Sequence, residues 1–481
     1  MYSIYRAATD VRIWLGPDNE DCQARVAINS IRTISDFLCQ RLDTSIPDLR
    51  LKKDIYQELV FKNRGALPLP NECEFASDEM WKSLRWLYSH AYFTRVWVIQ
   101  ELNARKERVL HCGSESTEWE RAELVAGYII MDSSFSRKFG FSTANCWWAA
   151  IATTERIRQP QNWLCMLYLT SNFSSTDARD AVYGVLGLIG SGKTRPLLEP
   201  DYGKSTADVY RDSVEAAFTN FEDTNVLLYV TGDGKPSWIP RWDTPMLFRN
   251  PFRFGKALPW RPSGDAQPSW SIDKELNVLS LSGILIDRVA FAEPYNETCF
   301  CNSSTESGEG RTALRPTWQR ILGTLQKARS ESPPWGVSLL TSVAASFSYG
   351  LDEKSDPADE SSLMRNFVAY LKLVLDDETF HAYIAPNASS ESGDGDGAAF
   401  GKPVWDFKYP DSSFFITEGG LIGCSVSVAS PGDAVCAVFG STYPLVLQPM
   451  DDLFGIRGFA YVHGAMRGER QDSQKRVFRV R

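Results

Sequence analysis

The sequence has only four histidines in 481 residues, His90, His111, His381 and His463, too widely spread to suggest a histidine-based metal centre. It also lacks a basic surplus. Lys and Arg number 51 against 60 Asp and Glu, and the net charge of -9 argues against broad binding to nucleic acid or to an anionic membrane. No apolar run approaches the roughly 20 residues that span a bilayer, and no charged-then-apolar signal segment opens the sequence. A cytoplasmic protein is expected. The ten cysteines show no C-x-x-C pairing, so in a reducing compartment they read as thiols filling cores. Cys299 and Cys301 are too close for ordinary disulfide geometry. Without secretion, the glycosylation-type triplets at Asn172, Asn296, Asn302 and Asn387 read as chance matches.

Tryptophan, by contrast, is plentiful at 15 residues, and the length implies two to three domains. Residues 1–130 read as α/β. Val11 to Leu15 form a short apolar strand ending at Gly16-Pro17, and Ala24, Ala27, Ile28, Ile31, Ile34, Leu38 and Leu42 follow at helical spacing. Asp78 is placed to cap a helix carrying Trp81, Leu84, Leu87 and Tyr88, and Arg108 to Cys112 resume as a strand. Strands separated by helices favour parallel pairing.

Residues 131–265 read as mostly helical and rich in Trp and Pro. Ser205 with Asp208 resembles a capping box, and Pro236 to Asp243 must be non-helical because Pro236 and Pro240 bracket it. Residues 266–470 read as a small β-barrel, with strands at 278–283, 284–289, 414–417, 434–439, 445–447 and 459–463. A helical insert is expected at about 312–384, flanked by mobile polar segments at 302–311 and 388–401. The last residues, 471–481, read as a basic, solvated tail.

Several motifs suggest chemistry. Gly187 to Thr194 match the phosphate-binding pattern G-x-x-x-x-G-K-[ST], with Lys193 as its lysine. Pro196 and Pro200 follow at once, and the next helix starts near Ser205, too far along to offer its N-terminus to a phosphate, so a loop with an accidental match is the better account. Asp177, Arg179 and Asp180 read as a helix start with an ion pair. His111 and Cys112 are adjacent on a strand, so they point to opposite faces and cannot pair as base and nucleophile. Trp238 and Trp242, fixed by the prolines, are expected to lock one domain onto another rather than to line a binding surface.

The most informative stretch is Tyr92 to Leu102. Its apolar positions suggest a helix capped by Thr94, with Trp97 and Glu101 four residues apart on one face. From spacing alone, a core indole with Glu101 paired to Arg95 or Arg105 competes with a catalytic carboxylate.

Taken together, Ile4 to Ala8 leading into Val11–Gly16, Tyr92–Leu102, His111-Cys112-Gly113 with Trp119, Asp177–Leu188, Asp201-Tyr202 with Tyr210, and Pro236–Asp243 resemble the heterokaryon incompatibility (HET) domain proteins of filamentous fungi. Phe414–Thr417, Gly420–Gly423, Gly432-Asp433, Gly458–Tyr461 and His463 through Glu469 echo that family's C-terminal β region. The resemblance implies a partial TIR-like α/β domain over 1–130 and a role in non-self recognition and programmed cell death. Some TIR domains hydrolyse NAD with a Trp followed four residues later by a catalytic Glu. On that pattern Glu101 is the catalytic carboxylate and Trp97 lines the NAD site, with NAD a substrate and no cofactor or metal required. Protein partners are expected, self-association among them. The family's usual opening strands do not precede Ile4, so the sequence reads as N-terminally truncated, with its first strand lacking parallel partners. An NAD glycohydrolase and a non-catalytic interaction module that lacks those strands both remain open.

Overall fold

The computed structural model describes residues 7–18, 22–52, 54–103, 107–151, 163–188, 198–232, 234–246, 258–295, 308–329, 332–352, 356–391, 395–406 and 411–481. The chain divides into two compact units, one of residues 1–206 with 242–245, the other of 207–241 with 246–481.

In the first unit, strand β1 (Asp10–Trp14) alternates buried Val11 and Ile13 with outward Arg12 and Trp14, the period of two that a half-buried strand needs. It pairs in parallel with β2 (Glu107–Cys112), register Asp10 to Glu107 through Trp14 to His111. The first strand therefore has a parallel partner, which corrects the expectation that it has none. β2 turns back at Gly113, φ 57°, into antiparallel β3 (Glu115–Glu118). Helix α1 (Gln23–Arg41) carries the periodic stripe read from the sequence: Ala24, Ala27, Ile28, Ile31, Ile34 and Leu38 are all fully buried. It packs against α2 (Asp78–Tyr88) and against a later helix of this unit, Trp119–Ile130. The cap of α2 is Ser77, not Asp78: the Ser77 side chain accepts from the Met80 amide at 3.2 Å, leaving Asp78 free to favour the helix dipole in the first turn.

The expected helix from Phe93 onward is broken. Ala91–Thr94 is a 3-10 turn whose last hydroxyl donates back to the Ala91 carbonyl at 3.0 Å, so Thr94 is not an N-cap. Arg95 is extended (φ -84°, ψ 130°) and bridges in parallel to Ser174. Only then does α3 (Val98–Leu102) begin, with Trp97 at its N-cap position. The bridge to Ser174 outweighs the local helical pattern because it satisfies backbone groups that the short helix could not.

The second unit is organised by β5 (Val278–Tyr295), an 18-residue strand. β5 pairs with β4 (Trp270–Asp273), β6 (Ser412–Thr417), β8 (Ala434–Val438) and β11 (Lys475–Val480), all antiparallel. Two register irregularities, at Leu285/Asp287 and Val289/Phe291, let one strand serve both halves of an eight-stranded sheet. With β7 (Ile422–Ser425), β9 (Leu445–Met450) and β10 (Leu453–Val462), the pairings run β5-β8-β9-β10-β7-β6 and return to β5, a closed ring. Ile284, Val289, Phe415, Val435, Val446 and Val462 belong to the apolar core of this sheet.

The basic residues at the end, expected in a solvated tail, keep exposed side chains, but their backbone is strand β11. Phe478 and Val480 are buried, and their alternation with exposed Lys475, Val477 and Arg479 is that of a half-buried strand. The polar segments read as mobile are partly helical: 308–311 open the helix Gly308–Ala328, and Gly397–Asp406 is another helix, with Ala388 buried before it. The remainder of the first segment, 302–307, lies outside the described residues. These helices, with Val337–Ser348 and Glu360–Val374, lie between β5 and β6 in sequence. Fully buried Trp318 joins them through Phe347, Phe367 and Tyr370, and Phe347 stacks on Phe414 of β6 at 5.7 Å and 9°. Among the described residues no helix is long and apolar enough to cross a membrane.

Candidate functional site

Trp97 and Glu101 lie one helical turn apart, since the Glu101 amide donates to the Trp97 carbonyl at 3.3 Å. Both side chains are half-buried. Their polar groups go to different neighbours. The Tyr92 hydroxyl donates to Glu101 Oε2 at 3.0 Å. The Trp97 indole Nε1 donates to Oδ2 of Asp180 at 3.2 Å. The indole is thus tied to a second carboxylate, one that sequence spacing did not suggest. Arg105, offered as an ion-pair partner for Glu101, lies outside the described residues.

Asp180 is 9% exposed and opens a single helical turn, Asp180–Tyr183. Its other oxygen, Oδ1, accepts the Tyr202 hydroxyl at 2.6 Å. One buried carboxylate is therefore held by an indole N–H and a phenol O–H, the kind of charge-assisted bonding that makes a buried anion tolerable. Tyr202 is itself 50% exposed; burial of its hydroxyl end, then the hydrogen bond to Asp180, pushes the phenol well above the usual tyrosine range.

The chain around Asp180 folds as the ion-pair reading expected. Arg179 grips Asp177 through two bonds, Nε to Oδ1 at 2.9 Å and NH2 to Oδ2 at 2.6 Å. The Arg179 bond holds the Asp177 carboxyl below its ordinary range. The same guanidinium donates to the carbonyls of Tyr202 at 2.6 Å and Lys204 at 2.7 Å, and lies 5.2 Å from the centre of the Tyr202 ring. The Tyr183 hydroxyl donates to the Asp201 carbonyl at 3.0 Å. Spacing alone missed Asp180 and Tyr202 because 83 residues separate Trp97 from Asp180, and no helical or strand period connects them.

Elsewhere, Cys112 is fully buried and burial pushes its thiol up to about 11, while His111 is half-buried on the same strand, in agreement with their unsuitability as a nucleophile–base pair. Trp238 and Trp242 are both fully buried. Lys193, with most of the phosphate-loop-like stretch, lies outside the described residues. Among the described residues no group of His, Cys, Asp and Glu is arranged to hold a metal ion.

The model of the family described as "Heterokaryon incompatibility protein (HET)" matches residues 1–101, so the match runs through Trp97 and ends at Glu101. Residues 1–101 are therefore similar to the HET domain. It is also 22% identical to "Heterokaryon incompatibility protein 6, OR allele" of Neurospora crassa over a 558-residue alignment covering 99% of this chain and 79% of that relative. The similarity to a heterokaryon incompatibility protein thus extends beyond the HET match into the second unit. No solved structure matches the chain.

Proposed function

We propose that this chain acts in non-self recognition of the heterokaryon incompatibility kind and contributes to the death of incompatible fused cells. What carries the reading is the joint observation of a HET match over residues 1–101 and a heterokaryon incompatibility relative collinear with 99% of the chain. Within that role the proposed reaction is hydrolysis of the nicotinamide–ribose bond of NAD, with Glu101 as the carboxylate. Cleavage of that bond builds oxocarbenium character on the ribose, which a nearby carboxylate stabilises, as in glycoside hydrolysis. Glu101 is suited to it: half-buried, oriented by the Tyr92 hydroxyl, and one turn from an aromatic ring. The TIR-like character of the first unit belongs to the same proposal, supported by the parallel β1–β2 pair with α1 between them in sequence.

A second reading is a non-catalytic module that binds protein partners, a second copy of this chain among them. It is favoured by one observation: Trp97 spends its indole N–H on Asp180, which suits a structural brace as well as a pocket wall.

Nicotinamide release from NAD by the purified full chain separates the two. Release that disappears in Glu101→Gln, a variant that can still accept from Tyr92, supports the glycohydrolase. No release from folded protein sinks the catalytic reading and leaves the binding module. Loss of growth arrest on expressing Glu101→Gln in a host cell would tie the reaction to cell death.

A further inference from the structure

The turn that carries Glu101 is too short to hold its own position. α3 has five residues and no side-chain cap, and isolated helices below about 12–15 residues are marginal in water. Its place is set by ties to residues 174–184. The Val96 amide donates to the Ser174 carbonyl at 3.2 Å, and Gln100 Nε2 to the Gly184 carbonyl at 2.7 Å. Val96 also packs so closely on Gly184 that a Cβ there would lie 3.0 Å from Val96 Cγ2. The Trp97–Asp180 bond is the side-chain tie at the start of the same turn.

Residues 174–184 are in turn tied to residues 201–204. Arg179 holds the carbonyls of Tyr202 and Lys204, and Tyr183 holds that of Asp201. One bond to the Tyr202 carbonyl and two to those of its neighbours Asp201 and Lys204 therefore fix the backbone there without the Tyr202 hydroxyl. The hydroxyl has a separate task, its 2.6 Å bond to Asp180.

We propose that Asp180 and Tyr202 are positioning residues for Glu101: the Tyr202 hydroxyl holds one oxygen of the Asp180 carboxylate so that the other fixes the Trp97 indole and, through the turn, the place of Glu101. Only the activity half of this proposal rests on the NAD reading; the coupling of Tyr202 to Trp97 stands on geometry. Tyr202→Phe is a clean probe, because it deletes the hydroxyl and leaves the backbone ties and the ring in place. Asp180→Asn is the second probe, since it keeps the shape but leaves one acceptor oxygen for two donors.

The test is fluorine NMR of the full chain labelled with 5-fluorotryptophan, the Trp97 resonance being assigned by its loss in Trp97→Phe. Tyr202→Phe and Asp180→Asn should both shift or broaden that resonance and leave most of the others where they are. A Trp97 resonance unmoved in both variants overturns the coupling. In nicotinamide release, Tyr202→Phe should lower kcat about tenfold with KM within about twofold, the pattern of lost positioning rather than lost binding. An unchanged kcat beside a shifted resonance overturns the positioning role. Absence of release from the unmodified chain is failure of the NAD reading itself, and overturns the activity half with it, while the resonance still decides the coupling.

Discussion

The Trp238 indole donates to the backbone carbonyl of Asn277 at 3.0 Å, and Asn277 sits in the left-handed region at φ 52°. A buried aromatic in the Pro-bracketed segment thus pins the turn between β4 and β5. Trp238→Phe removes the donor and most of one ring, and should destabilise the protein by about 1–3 kcal/mol in chemical denaturation. At Asn277, glycine should be tolerated and valine should cost about 1–2 kcal/mol, because a β-branched side chain resists positive φ. Equal stability of the two variants would contradict this account.

Gly184 is constrained from two sides. An added Cβ would meet the Asp180 carbonyl at 2.7 Å and Val96 Cγ2 at 3.0 Å. Gly184→Ala should therefore cost about 1–3 kcal/mol despite alanine's better helix propensity. A gain in melting temperature would mean that the Val96 contact is slack.

The cysteines should divide sharply in reactivity. Cys22 is exposed, whereas Cys112, Cys146, Cys424 and Cys436 are fully buried and burial raises the pKa of each. Brief iodoacetamide treatment of native protein at pH 8 should label Cys22 and spare those four, as mass spectrometry would reveal. Labelling of Cys112 ahead of Cys22 would contradict the packing of β2.

Acid should weaken the start of the helix Asp377–Tyr383. Its N-cap, Asp376, accepts from the Thr379 amide at 2.8 Å, and that bond lowers the Asp376 pKa below its ordinary 3.8. A depressed folded-state pKa contributes stability above about 3.8 that is lost as the pH falls through the depressed value. Asp376→Asn, which still caps but does not titrate, should flatten this part of the acid limb when unfolding is followed between pH 6 and pH 3. An identical acid limb would show that the cap carries no charge-dependent stability.

Legibility in the sequence followed periodicity. β1 and α1 were plain because their apolar residues recur at two and at 3.6. β7, four residues all buried, and β4 had too short a pattern to be read. β11 was hidden by its charges, although Phe478 and Val480 alternate as a strand requires. At the site, the Trp97–Glu101 spacing was legible as one turn. Its surroundings were not, because the bridge from Arg95 to Ser174 and the bond from Trp97 to Asp180 join segments about eighty residues apart, where local rules are silent.

The closed ring also has a consequence in time. Ile284 of β5 finds its β11 partner at Lys475, so the central strand leaves the ribosome long before that edge can be covered. Until then β5 offers unpaired N–H and C=O groups and an apolar face to any neighbouring chain. Contacts of such sequence separation slow folding, so the pairing of β5 with β11 is expected to come late in the assembly of the second unit.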